Sequence, residues 1–273
     1  MKPIRPKFTN PPLIERAISV SFSKLEAFSI GDYGLYWSKL IDPFPISEAA
    51  SPVIQEPESF NEGKPPQPQI QILPNDTLPR AFFRSAKKGE LIQLQSDRFS
   101  FNWIKAHPDD PYPHSEEMLS RFKCLFEQFS AFAAERQLGE ITPTQCEITN
   151  VNLISVIDVG ESYRDVATLI RLPDIEEFEC VSLESQIVGA THLILDDFKQ
   201  PIGRVHSIAQ PAFKTDTNQK AFRLDIVARG SPIGPGLEGV KAFLEFAVSA
   251  VNAVFLASVT HAGRQFWGEI DGK

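Results

Sequence analysis

Two histidines and two aspartates crowd into HPDDPYPH, residues 107–114. His107, Asp109, Asp110 and His114 are residue types that hold a divalent metal. Their spacing fits no specific metal motif, and the prolines among them suit a connector from a strand into a helix, so no metal is assigned. RGSPIGPGLEG, residues 229–239, is a glycine-rich stretch ahead of a helix. Backbone N–H groups at such a helix start can hold an anion. The stretch lacks the lysine of a phosphate loop, however, and does not match the dinucleotide fingerprint. His261, Arg264, Trp267 and Glu269 follow the last apolar run. Cationic side chains there suit the negative end of a helix dipole, and His261, Arg264 and Trp267 are candidate binding residues. No GxSxG, HExxH, phosphate-loop, CxxC or EF-hand pattern occurs. The sequence therefore gives no positive sign of an enzyme and implies no cofactor.

The stretch IQLQSDRFSFNW, residues 92–103, points to recognition rather than reaction. Ile92 and Leu94 alternate with Gln93 and Gln95, and Phe99, Phe101 and Trp103 alternate with Arg98, Ser100 and Asn102. Such a period of two marks half-buried strands. A two-residue turn at Ser96 and Asp97 sets Leu94 opposite Phe99 and Ile92 opposite Phe101, so both apolar pairs face one way, toward a core. The other face presents Arg98, Ser100 and Asn102, with Gln93, as a second set of candidate binding residues.

The elements that position these groups follow from periodicity. A first strand is expected at Leu13–Phe22 and a short helix over 32–41, with Tyr33, Trp37 and Leu40 on one face. Nine prolines fall within 42–79, so this stretch reads as a loop-rich connection, with Gln69–Leu73 as an added strand. A meander follows over 80–86, 90–95 and 98–104. A helix over 115–138 carries the apolar stripe Met118, Phe122, Leu125, Phe126, Phe129, Phe132 and Ala133, with Ser115 as its cap and Gly139 as its stop. The second half repeats the order: a strand over 145–156, a short helix over 162–170, four strand-like runs near 178–188, 190–196, 202–210 and 219–229, and a helix over 237–260. Val240, Phe243, Leu244, Ala247, Val251, Val254 and Phe255 form the stripe of that last helix. The expected fold is α+β, with tandem β-α-β4-α-like halves at 1–139 and 140–273. Each half would be an antiparallel sheet backed by a long helix. Joined edge to edge, the sheets would make a pseudo-symmetric saddle that resembles the TATA-binding-protein-like architecture in outline, without any sequence motif of that protein.

Composition narrows the partners. The net charge is -8, which argues against a nucleic-acid grip built from clustered Lys and Arg. Residues 156–199 hold ten acids against three bases, which suits acidic strands at a solvated sheet edge or a docking face for a basic protein partner. Cys124, Cys146 and Cys180 are far apart, which reads as reduced thiols in a cytoplasm, and Cys124 is expected as a small core residue. The N-terminus has no apolar run of the signal-peptide kind, and no apolar stretch is expected to reach membrane-spanning length. Nothing in the sequence fixes an oligomeric state.

Four segments together carry a resemblance: NPPLIERAISVSF, LIQLQSDRFSFNWIK, YPHSEEMLSRF and FLASVTHAGRQFWG. In that order, and nearly end to end, the chain resembles a sporadically distributed family of uncharacterised prokaryotic proteins. The family often has a histidine in its last helix, about two turns before the Phe of the closing motif. Phe255 matches that Phe, and the earlier position falls near the apolar Val248. The family's patchy distribution implies mobile or defence loci, and so an accessory or antitoxin-like role. The expectation is a cytoplasmic, non-enzymatic interaction protein with a protein partner and no membrane. A nucleic-acid-binding saddle and a small-molecule sensor or enzyme stand as the alternatives.

Overall fold

The computed structural model describes residues 4–54, 57–60, 77–107, 110–176 and 178–270. Among them the elements run β1 (Lys7–Phe8), β2 (Leu13–Phe22), α1 (Ile30–Ser38), β3 (Ile46–Ala50), β4 (Arg80–Arg84), β5 (Glu90–Gln95), β6 (Arg98–Ile104) and α2 (Ser115–Glu135). They continue as β7 (Pro143–Ser155), β8 (Val188–Leu195), β9 (Pro201–Phe213), β10 (Lys220–Gly230), α3 (Gly236–Ser258), α4 (His261–Phe266) and β11 (Glu269–Ile270). Nine strands form one antiparallel sheet in the order β3-β4-β5-β6-β2-β7-β10-β9-β8. The first strands of the two halves, β2 and β7, pair at its centre, with Ile18 opposite Ile148 and Val20 opposite Cys146. From that seam each half winds outward in the same way: the last strand comes next, and the earlier ones follow to the edge.

Alternation decides which side is covered. Phe99, Phe101, Ile92, Leu94, Ile18, Val20, Ile148, Ile226 and Val205 share one face and are buried in a single core that spans both halves. The turn between β5 and β6 gives the expected register, with Leu94 opposite Phe99 and Ile92 opposite Phe101. The α2 stripe is buried at the seven expected positions, and Phe129 stacks on Phe99 at 5.5 Å. In the second half the interlock reverses. Gly203 and Gly230 pair across β9 and β10, and the gap they leave admits Phe243 of α3; a Cβ on Gly230 would lie 2.3 Å from that ring. Arg16, buried on the covered face, ties the seam to the start of α2. Its Nε donates to Asn150 Oδ1 and its Nη1 to Ser115 Oγ, each at 2.8 Å.

Several expectations need correction. The outermost strand of the first half is β3; Gln69–Leu73 lies outside the described residues. The run near 178–188 is no strand and holds only a bridge between Phe178 and Val181, so the second half is one strand short. The helix expected over 162–170 is a single 3-10 stretch at Tyr163–Thr168. Of the described acids of 156–199, Asp158 and Asp165 lie in 3-10 stretches and the others in loops and turns; β8 and β9 contain none. Cys124 is exposed, because it lies about 200° around the helix from Phe122. The α2 helix begins after His114, with Ser115 as its first residue, and Gln137 (φ 54°) takes the left-handed position at its end before Gly139.

α3 is long and apolar enough to cross a membrane, with a mean hydropathy of 1.7, and just over half of that window (56%) is buried inside this fold. Its apolar stripe packs on β7, β10 and β9, so the surplus of apolar residues is accounted for by the core.

Candidate functional site on the helix-free sheet face

No helix among the described residues packs on the opposite face of the sheet. Strand alternation places Arg80, Phe82 and Arg84 (β4), Gln93 and Gln95 (β5), Arg98, Ser100 and Asn102 (β6), and Glu15 and Ser19 (β2) there. Across the seam follow Gln145, Glu147 and Thr149 (β7), Arg229 (β10), and Arg204 and His206 (β9). The face is polar yet largely withdrawn from water: Ser19, Ser100, Asn102, Gln145 and Glu147 are all buried. Buried polar groups must be hydrogen-bonded or they cost stability, and two networks meet much of that demand, although Arg80 Nε and Gln145 Nε2 have no partner among the described residues.

The first runs at right angles to the strands. Arg80 Nη1 donates to Gln93 Oε1 at 2.8 Å, Gln93 Nε2 to Asn102 Oδ1 at 2.9 Å, and Asn102 Nδ2 to Glu15 Oε1 at 2.5 Å. The second centres on Glu147. Its Oε1 accepts from Arg98 Nη2 at 2.8 Å and from Thr149 Oγ1 at 3.2 Å, and its Oε2 accepts from Arg229 Nε at 2.6 Å. Such charge-assisted bonds are short and strong, and they fix both guanidinium planes. Arg84 pairs with Glu48 and Arg223 with Asp225, each at 2.8 Å. Apart from Arg80, which bonds to Gln93, the arginines of this face are thus matched with carboxylates, which is the opposite of the unpaired basic surface that nucleic-acid backbones need.

Residues 53–60 cross this face, apart from 55–56, which are not described. Gln95 grips the backbone of Val53 twice: its Oε1 accepts from Val53 N at 2.8 Å, and its Nε2 donates to Val53 O at 3.1 Å. Gln145 Oε1 accepts from Glu58 N at 2.7 Å. The Glu58 carboxylate then takes Arg204 Nη1 at 2.5 Å on Oε2 and meets His206 Nε2 at 2.7 Å on Oε1. Burial alone would push the Glu58 carboxyl up, but the hydrogen bonds from His206 and Arg204 outweigh it and hold the group below the ordinary carboxylate range. Arg204 also donates from Nη2 to Ser59 O at 2.9 Å and lies 4.5 Å above the Phe60 ring.

The candidate binding residues divide accordingly. Arg98, Ser100 and Asn102 come together at the middle of this face. His261, Arg264 and Trp267 lie on the covered side and join no site with them. Trp267 is core, 6.0 Å from the Phe255 ring. Arg264 Nη2 closes the end of α3 by donating to Leu256 O at 2.8 Å, and His261 is the exposed first residue of α4. No group of three or more His, Cys, Asp or Glu side chains among the described residues is placed to hold a metal. Of the 107–114 stretch, Asp109 lies outside the described residues, and Asp110 Oδ2 accepts from His107 N at 2.8 Å. Sequence reasoning missed Gln145, Glu147, Arg229, Arg204, His206 and Glu58. The first two were open to the same period-of-two reading, since they alternate with the apolar Cys146 and Ile148. Glu58 carries no such signal: its contact with Arg204 spans 146 residues of chain.

Comparison of the chain with protein-family models, with curated proteins and with solved structures finds no match in any of the three.

Proposed function

We propose that this protein is a cytoplasmic, non-enzymatic interaction module that binds an extended segment of a partner protein on the helix-free face of its sheet. One observation carries the reading: the face already holds such a segment, the chain's own residues 53–60, gripped through the backbone by Gln95 and Gln145. Side-chain amides that read backbone N–H and C=O groups recognise an extended chain whatever its sequence, much as strand addition does at a sheet edge. The paired arginines of the face fix where charged side chains can sit, which supplies orientation and specificity rather than bulk affinity. Three unpaired cysteines fit a reducing compartment.

Selection from a random ten-residue display library on the immobilised full chain tests the reading. Recovered peptides that lose at least tenfold in affinity for Gln95→Ala support it. A selection that enriches nothing, or only peptides indifferent to Gln95, overturns it.

A further inference from the structure

Gln95 and Gln145 do the same job to different degrees. Gln95 uses both ends of its amide on Val53. Gln145 uses only its oxygen; its Nε2 is buried and has no partner among the described residues. A buried donor without an acceptor forfeits its hydration with no return, so residues 53–60 are an imperfect occupant at this position. A small cavity of about 100 Å³ opens beside Gln145, lined by Val53, Pro57, Asp97 and Arg98 among others. A backbone carbonyl presented there would complete the grip that Gln95 already makes.

The occupant nevertheless shows what the surface selects. Both carboxylate oxygens of Glu58 are engaged, and Arg204 binds three chemically different groups at once: the carboxylate, the Ser59 carbonyl and the Phe60 ring. Acid and aromatic are two positions apart, as in an extended chain whose alternate side chains face one way. We propose that Arg204, His206 and Gln145 form an anchoring subsite for an acidic extended segment of a partner protein, a carboxylate followed two residues later by an aromatic ring, and that Glu58 fills it in cis until the partner displaces it. The inference rests on the reading of this face as a segment-binding surface, and it names the chemistry of the segment. The cis segment owes its occupancy to tethering, which gives effective concentrations in the millimolar range. A partner with a complete set of contacts overcomes that advantage.

The probe is a fluorescein-labelled peptide of sequence SPVIQEPESF, residues 51–60, titrated by anisotropy into the full-length chain. Glu58→Gln/Phe60→Ala in the chain vacates the anchor. That variant is expected to bind the peptide at least tenfold more tightly than wild type, and Arg204→Ala added to it removes the gain. A peptide carrying Gln at the Glu58 position is expected to lose at least tenfold. If the Gln peptide binds the vacated chain as well as the native one, no carboxylate subsite exists. A twenty-nucleotide single strand that binds the vacated chain while the peptide does not also overturns the proposal, in favour of phosphate recognition. If the double variant melts early, Glu58→Gln alone, which keeps shape and polarity, carries the same comparison. The display selection separates the two failures: recovered peptides that depend on Gln95 but lack an acid sink the subsite and leave the segment-binding face standing.

Discussion

The two halves wind alike yet satisfy their polar face differently. In the first half most polar groups on the helix-free side are met by the sheet itself: Arg80 reaches Gln93, Asn102 reaches Glu15, Arg84 reaches Glu48, and Arg98 crosses the seam to Glu147. In the second half Arg204 and His206 meet a carboxylate supplied by the first half's long connection. The same contrast holds at the edge. The first half ends in β3, whereas the second stops at β8, with Ile187, Leu193 and Phe198 exposed nearby. One half is served mainly by the strands of the sheet, and the other is finished by residues of a connection. A function that works by displacement belongs on the half whose needs are met by something removable.

The covered face gives the largest test of this contrast. In the first half, aromatic meets aromatic: Phe129 lies within 6 Å of Phe22, Tyr36 and Phe99 by ring centroids. Phe129→Ala should cost about 4 kcal/mol by urea unfolding, the sum of lost transfer and a residual cavity. In the second half the mating is by absence of a side chain. Gly230→Ala would put a methyl 2.3 Å from both Ile202 O and the Phe243 ring, and should cost about 3 kcal/mol by overpacking. If the glycine change is neutral while the phenylalanine change is not, α3 is free to shift on its sheet and the two halves are not equally tight.

Helix starts offer a smaller comparison. Each half opens its crossover with a Ser and an Asp three residues on. Asp32 Oδ2 accepts from Ser29 N and Ser29 Oγ, and Asp165 Oδ2 accepts from Ser162 N and Glu161 N. Both carboxyls sit below the ordinary range. For Asp32, burial pushes up and the Ser29 bonds and Arg136 push down harder; for Asp165 the backbone N–H groups of Ser162 and Glu161 dominate. Asp32 is buried and starts a true helix, whereas Asp165 is only half-buried and lies on a 3-10 turn. Asp32→Ala should therefore cost about 1 kcal/mol in thermal unfolding, and Asp165→Ala clearly less. Equal costs would mean that the 3-10 stretch stabilises the fold as much as α1 does.

What the sequence disclosed follows the same division. The α2 and α3 stripes and the β5–β6 register were legible because each rests on a local period. The three candidates Arg98, Ser100 and Asn102 share that origin and fall on one surface. The 178–188 run misled because its apolar residues, such as Phe178, Val181 and Ile187, are exposed, and Phe178 and Val181 pair only with each other in a local bridge. The C-terminal candidates misled in another way: Trp267 completes a core with Phe255 and Phe8 that only the folded chain assembles. Glu58 was beyond local reading altogether, since a proline-rich connection has no period to interpret.

The smallest expected effect is the most local. Glu58 is held below its ordinary value of 4.5 by His206 and Arg204 against the push of burial. A carboxylate depressed in the folded state contributes stability that is fully present above the unfolded value and is lost as pH falls through the folded one. The crossing segment should therefore stay closed at pH 7 and pH 5.5 and open only in acid below the ordinary carboxylate value of 4.5, when Glu58 takes up a proton and its bond to Arg204 weakens. Hydrogen exchange at the Val53 and Glu58 amides, corrected for intrinsic rates, reads this opening directly. In Glu58→Gln the two amides should exchange faster at pH 7 and show no further acid step. The Arg80–Gln93–Asn102 chain, whose only carboxylate is Glu15 at its far end, should keep the β5 amides protected through the same range. Acid opening that instead releases β5 and the crossing segment together would mean that the two ends of the face behave as one cooperative unit, and the distinction between a half served by the sheet and one served by a connection would fall.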